Sequence, residues 1–380
     1  MTSGHKLPGL NELRAIAALC VIPGHVEQTK KLLGGVARTW FPVPGKVGVV
    51  LFFVLSGFLI TLLLLDERGA TGRIDLRRFY TRRMLRIWPL YYLTVALGLL
   101  VFSRISFLQL GNLSANARDL PAGSLLLLAL ILPGYVAAVI PYVAHTWSIG
   151  VEEQFYALQP IVLRALERTW LLAAFLLAVV FLDELTRPLA QRIQGMGFVL
   201  FRAQAPYFSC IAVGALGALL WDRRPPRLVA LLHARATQML ACAGIFACLV
   251  VTAVTGDEAV VDFRVYAVLF LVVVLNVSTN PASLLRLRSA PLDRLGRMSY
   301  GIYMFHPVVI VAVLALVRPW KASLGVVGSD VVLYALTFAL TMAVAGLSFA
   351  FFEGPFLRLK DRFASRRPAR EAEDPAVPDA

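Results

Sequence analysis

The sequence predicts an all-α protein, a polytopic bundle of about ten transmembrane helices with both termini on the cytoplasmic side. Three observations lead there. Of its 380 residues 58% are hydrophobic and only 16% charged, with a mean hydropathy of +0.73; a water-soluble domain has no place for that much apolar surface, whereas a bilayer does. Apolar runs long enough to cross a bilayer recur along the chain. Arginines gather in the short loops between those runs, which is how orientation is set in membrane proteins. The net charge of +14 is therefore a topology signal, and no nucleic-acid partner is implied.

The runs fall near 10–28, 45–65, 86–103, 149–166, 169–185, 205–221, 238–255, 262–279, 299–317 and 328–352, with an eleventh at 123–140. The stretch 66–86 carries seven arginines against Asp66, Glu67 and Asp75, which makes it cytoplasmic. Loops 222–237 and 281–298 carry four each and fall on the same side, so the acidic loop with Asp257, Glu258 and Asp262 faces outward. These assignments agree only if 104–166 crosses an odd number of times. One crossing at 149–166, with 123–140 re-entrant or at the outer interface, satisfies them. Residues 1–356 then form one membrane domain, and 357–380, polar and rich in Pro and Ala, read as a disordered cytoplasmic tail. The N-terminus has no cleavable signal pattern. Cys20, Cys210, Cys242 and Cys248 lie inside apolar runs, as small core residues do. No disulfide framework and no metal-ligand spacing is present.

Chemistry begins in the first run. Arg14 and His25 are eleven residues apart, and at about 100° per residue they return to within about 20° of one direction. They lie about 16 Å apart along the axis. Ionisable groups on one stripe of a membrane helix are costly and mark an interior functional face. Pro23-Gly24 is expected to end or kink the helix beside His25, whose imidazole suits a general base. In the third run Arg83 and Arg86 share a face, three apart, and their guanidinium forks suit phosphates. Arg77 and Arg78 read as topology signals. Glu152 and Glu153 follow His145-Thr146-Trp147-Ser148; neighbours on a helix point about 100° apart, so the two carboxylates meet different surroundings. Either one is placed to hold a charge or a proton. Tyr300 and Tyr303 read as packing residues, and Glu353 marks the end of the last run. The same groups suit two other uses. Relaying protons or binding an anionic or glycosylated solute is the transporter alternative, and pairs among His25, His145 and His306 are the haem alternative.

These segments, in order from Leu10 to Phe356, resemble acyltransferase family 3, the integral membrane O-acyltransferases that act on bacterial polysaccharides and macrolides. The resemblance rests on Arg14 and His25, on Gly48 to Ile60, on Arg83-Met84-Leu85-Arg86, and on Trp147-Ser148 through Glu153-Gln154-Phe155-Tyr156. Two positions depart from the family pattern: Asn11-Glu12 stands where Asp-Gly is common, and Val50 where Asp is frequent. The resemblance implies an O-acyltransferase in the inner (plasma) membrane. Its donor substrate is acyl-CoA, acetyl-CoA in the first instance, with no permanently bound cofactor, and its acceptor is a hydroxyl of a carbohydrate or glycosylated molecule. Arg14, Arg83 and Arg86 are expected to hold the coenzyme A phosphates, and His25 to remove the acceptor proton or to carry the acyl group. Glu152 or Glu153 is expected to orient the imidazole. Some family members carry an extracytoplasmic hydrolase-like domain; none is seen in this sequence, so the membrane domain is expected to complete the transfer.

Overall fold

The computed structural model describes residues 7–32, 45–109, 120–136, 142–193, 195–257 and 260–363. They fold into helices α1 (Leu10–Leu32), α2 (Gly45–Thr71), α3 (Leu76–Ala96), α4 (Ala122–Ala129) and α5 (Trp147–Ala165). α6 (Thr169–Val180), α7 (Leu182–Thr186), α8 (Met196–Arg223), α9 (Pro226–His233) and α10 (Arg235–Thr255) follow. The last are α11 (Phe263–Thr279), α12 (Ala290–Arg297), α13 (Ser299–Val317), α14 (Lys321–Leu347) and α15 (Gly354–Asp361). No strand occurs among the described residues. The all-α expectation holds.

Among the described residues, five helical stretches are long and apolar enough to cross a membrane, and six if the pair Thr169–Val180 and Leu182–Ala190, bent by 69°, counts as one. One stretch, Ser299–Asp361, spans 63 residues and folds back on itself: Ile302, Val313 and Val317 of α13 share a cluster with Leu333, Tyr334 and Ala345 of α14. The other apolar runs form helices that are shorter, as α11 is, or carry more charge, as α1 and α5 do. Within the run 123–140 the described residues form the eight-residue α4, about 12 Å long and too short to cross a bilayer, and a 3-10 turn at Pro133–Tyr135. The end of α4 is tied to α3, where Tyr91 and Tyr92 donate to the carbonyls of Leu128 and Ala129; residues 137–140 lie outside the described residues. So do Glu258 and the tail from 364, whereas 357–361 continue α15.

Over their most apolar stretches α2 and α8 are each 78% buried in the bundle, while α10 is 17% buried and turns outward. α2 crosses α8 at a contact that only glycine admits: a Cβ at Gly57 would stand 1.9 Å from the carbonyl oxygen of Ile211, and one at Gly214 would stand 2.1 Å from that of Val54. Small residues let membrane helices meet backbone to backbone.

α1 lies between α2 and the α13–α14 hairpin. Ala18, Ile22 and Val26 face Ile302, Val309 and Ile310, while Ala17 and Val21 join the α2 core. At one end Asn11 donates to Asp293 of α12 (2.8 Å), so this departure from the family pattern has a structural use. At the other, Lys30 bridges Glu27 and Asp330 at 3.0 Å each, and Tyr334 donates to Glu27 at 2.7 Å. One expectation is corrected here: α1 does not end at Pro23-Gly24 but continues to Leu32. Pro23 removes one backbone bond, and packing around it, with Gly24 against Gly45 of α2, keeps the helix going.

Gly57→Ala should cost at least the upper part of the roughly 1–3 kcal/mol typical of overpacking, because a backbone carbonyl cannot rotate away. A thermal melt of the detergent-solubilised variant measures it, and an unchanged midpoint would refute the glycine contact.

Candidate active site

The seam between α1 and α13, closed by α3 and α5, carries charge at one end and imidazoles at the other. At the charged end Asp75 caps α3 by accepting from the backbone N–H of Arg78, and two turns later Arg83 and Arg86 enter the bundle. Arg83 lies over the rings of Phe79 and Tyr156, 5.7 and 5.6 Å from their centres, with its buried Nε unpartnered. Arg86 and Arg14 lie within electrostatic reach of each other and of Glu152. Arg77 and Arg78 stay at the surface. Arg82, which sequence reasoning passed over, pairs with Glu67 at 3.2 Å.

The carboxylates diverge, as adjacent helix positions require. Glu152 accepts from Ser56 (2.8 Å) and from the Tyr156 hydroxyl (3.4 Å). Glu153 accepts from the Trp88 indole N–H at 2.9 Å, and its Oε1 is buried without a partner. Glu353 joins them from the π-helical turn after α14, accepting from Ser348 at 3.2 Å, and lies within electrostatic reach of Arg86. Tyr300 donates to the Ile87 carbonyl at 2.9 Å and so fixes α13 against α3. Three arginines and three carboxylates share this end.

Between the two ends is a cavity of about 40 Å³, lined by Arg14 and Glu152 and by Phe52, Ser148, Tyr300 and Tyr303 among others. That is room for roughly three water molecules. Tyr303 is the shared wall. Its hydroxyl bonds Ser148 Oγ (2.6 Å) and donates to the His145 carbonyl (2.8 Å). Its own carbonyl accepts from His306 Nδ1 at 2.7 Å, and His306 Nε2 bonds His25 Nδ1 at 2.9 Å. The His145 ring sits 5.4 Å from that of His306 and 5.3 Å from that of Tyr303, with both nitrogens buried and unpartnered.

All six residues singled out beforehand thus border one seam, with Arg14 and His25 both turned toward the α13 face of Tyr300, Tyr303 and His306. The expectation that Glu152 or Glu153 orients the imidazole is corrected: neither bonds His25. Seven helix positions separate His145 from Glu152, about 10 Å of rise, and the carboxylates stay with the arginines. His25 and His306 are in direct hydrogen-bond contact, which leaves no space for a haem iron between them. Tyr303 and His306 were not recognised as site residues in the sequence. The signal was there in His306-Pro307: a proline has no N–H to give the carbonyl four residues earlier, so Tyr303 O is free to take the imidazole proton.

Residues 7–349 match the family model described as an acyltransferase domain of family 3. The chain belongs to acyltransferase family 3. Among its relatives are the O-acetyltransferases OatA of Staphylococcus aureus strains NCTC 8325 / PS 47 and COL, each 26% identical over 373 residues, 93% of this chain and 58% of the relative. The chain therefore spans a little under three fifths of the length of these relatives. No solved structure matches it. It is a membrane protein of this family.

Trp88→Phe removes the only hydrogen bond to Glu153 among the described residues. It should lower stability by about 1.5–3 kcal/mol, the range for bonds to charged groups, read as a fall in the thermal midpoint. An unchanged midpoint would mean that the bond does not contribute.

Proposed function

We propose that this protein is a multi-pass enzyme of the plasma membrane, with about ten spans and both termini cytoplasmic, that moves an acyl group, acetyl in the first instance, from acyl-CoA to a hydroxyl of a carbohydrate or glycosylated acceptor. One observation carries the proposal: a single seam runs from three arginines, through a cavity, to a hydrogen-bonded histidine pair. The names of the longer relatives support the O-acetyl chemistry.

The donor enters at the arginine end. Arg83 and Arg86, with Arg14 on the facing helix, hold its phosphates; guanidinium groups bind them bidentately. Glu152, Glu153 and Glu353 balance these charges while the site is empty and keep the arginines from pairing with lipid headgroups. The pantetheine arm runs along the seam toward His25, about 16 Å away on the rise of α1, with the cavity marking only part of that path. There the acceptor hydroxyl loses its proton to His25 as its oxygen attacks the thioester carbonyl. The tetrahedral intermediate collapses with cleavage of the carbon–sulfur bond, and the proton held by His25 passes to the departing thiolate. The products are an ester and free coenzyme A.

Membranes containing the protein, given acetyl-labelled acetyl-CoA, should transfer label to a glycan or glycosylated small molecule. His25→Ala should reduce that transfer by at least about 10²-fold, the lower range for removing a general base, while donor binding stays near its wild-type value. Undiminished transfer by the variant would overturn the assignment of His25. Arg83→Ala combined with Arg86→Ala should raise the apparent KM for acetyl-CoA at least tenfold, the equivalent of one lost charge-assisted bond of about 1.4 kcal/mol, and an unchanged KM would remove the phosphate role.

A further inference from the structure

Which nitrogen of His25 is free to act is decided by the atoms bonded to it. The starting point is Tyr303 O, a peptide carbonyl, which only accepts. The atom bonded to it, His306 Nδ1 at 2.7 Å, therefore carries a hydrogen. His306 is buried, and the polar partners of its ring are backbone carbonyls and another imidazole, so no anion is bonded to it that would hold a positive charge. It is a neutral ring with hydrogen on Nδ1, and its Nε2 carries a lone pair. That lone pair faces His25 Nδ1 at 2.9 Å and accepts from it. His25 then holds its hydrogen on Nδ1, with the Val21 carbonyl, also an acceptor only, beside the same ring, and Nε2 is the basic nitrogen.

The sequence fixes the first link. Proline at 307 cannot donate to the carbonyl of residue 303, so the helix leaves Tyr303 O without its usual partner. An orphaned carbonyl in an apolar bundle is costly, and the ring of the residue just before the proline satisfies it. His306-Pro307 thus supplies both the free acceptor and the group that fills it.

We infer that His306 is a positioning residue: it holds His25 in the Nδ1–H tautomer, with Nε2 directed to the acceptor hydroxyl. A second imidazole here does what a carboxylate does in a Ser-His-Asp triad, where the partner sets tautomer and orientation. A neutral partner achieves this without placing another buried anion in the seam. The inference rests on the reading of His25 as the base.

The test is nitrogen and carbon NMR of protein labelled in histidine, with the His25 signals identified by their loss in His25→Ala. The two neutral tautomers differ in their ring nitrogen and Cδ2 shifts. The wild type should show His25 protonated on Nδ1, and His306→Leu should move it to the Nε2–H form. In parallel, His306→Leu should lower kcat about 10- to 100-fold, the range for losing a group that orients a functional histidine, with the KM for acetyl-CoA unchanged. His306→Gln, whose amide oxygen can accept from His25 Nδ1–H, should recover most of that loss, which a merely space-filling role would not produce. His25 protonated on Nε2 in the wild type would overturn the inference, and so would wild-type kcat in His306→Leu. If the tautomer is as inferred but His25→Ala still turns over normally, the base assignment falls, and the catalytic role of His306 falls with it; the NMR result separates the two failures.

Discussion

Three guanidinium groups, from Arg14, Arg83 and Arg86, occupy an apolar bundle together with the carboxylates of Glu152, Glu153 and Glu353, and the whole arrangement depends on their meeting there. A lone charge in an apolar bundle is costly, and opposite charges within electrostatic reach lower that cost. The frame around them is held by contacts of its own. α2 meets α8 backbone to backbone at Gly57 and Gly214, α1 is clamped by the Glu27–Lys30–Asp330 bridge at its far end, and the Tyr300 hydroxyl fixes α13 on α3. Apolar packing places the frame, and the charges then have one geometry in which to find each other.

Much of this was legible in the sequence because it is local. The stripe shared by Arg14 and His25 follows from eleven helical steps, and the divergence of Glu152 and Glu153 from one step. Helix type followed from composition. Counting spans from apolar runs was less secure, since α1 and α5 carry the charges of the site and α11 is short; the helices richest in chemistry are the poorest in hydropathy. Pro23-Gly24 does not end α1, because tertiary packing outweighs one missing backbone bond.

What the sequence did not reveal is long-range partnership. His25 and His306 are 281 positions apart, and Glu153 meets an indole 65 positions away. Glu152 and Glu153 looked like the natural partners of an imidazole because carboxylates usually are; their height on α5 puts them with the arginines instead. Tyr300 and Tyr303 looked like packing residues, which half of each side chain is. Their hydroxyl groups tie helices together, and only the position of those helices shows which ones.

Tyr303 serves the seam twice, by its hydroxyl and by its carbonyl, and the two services are inherited separately. Replacing the tyrosine alters the first alone, for every amino acid brings a carbonyl of its own. The second is written at position 307, where proline withholds a hydrogen. Part of what residue 303 does is thus encoded one helical turn downstream, in a residue whose contribution is an atom it lacks.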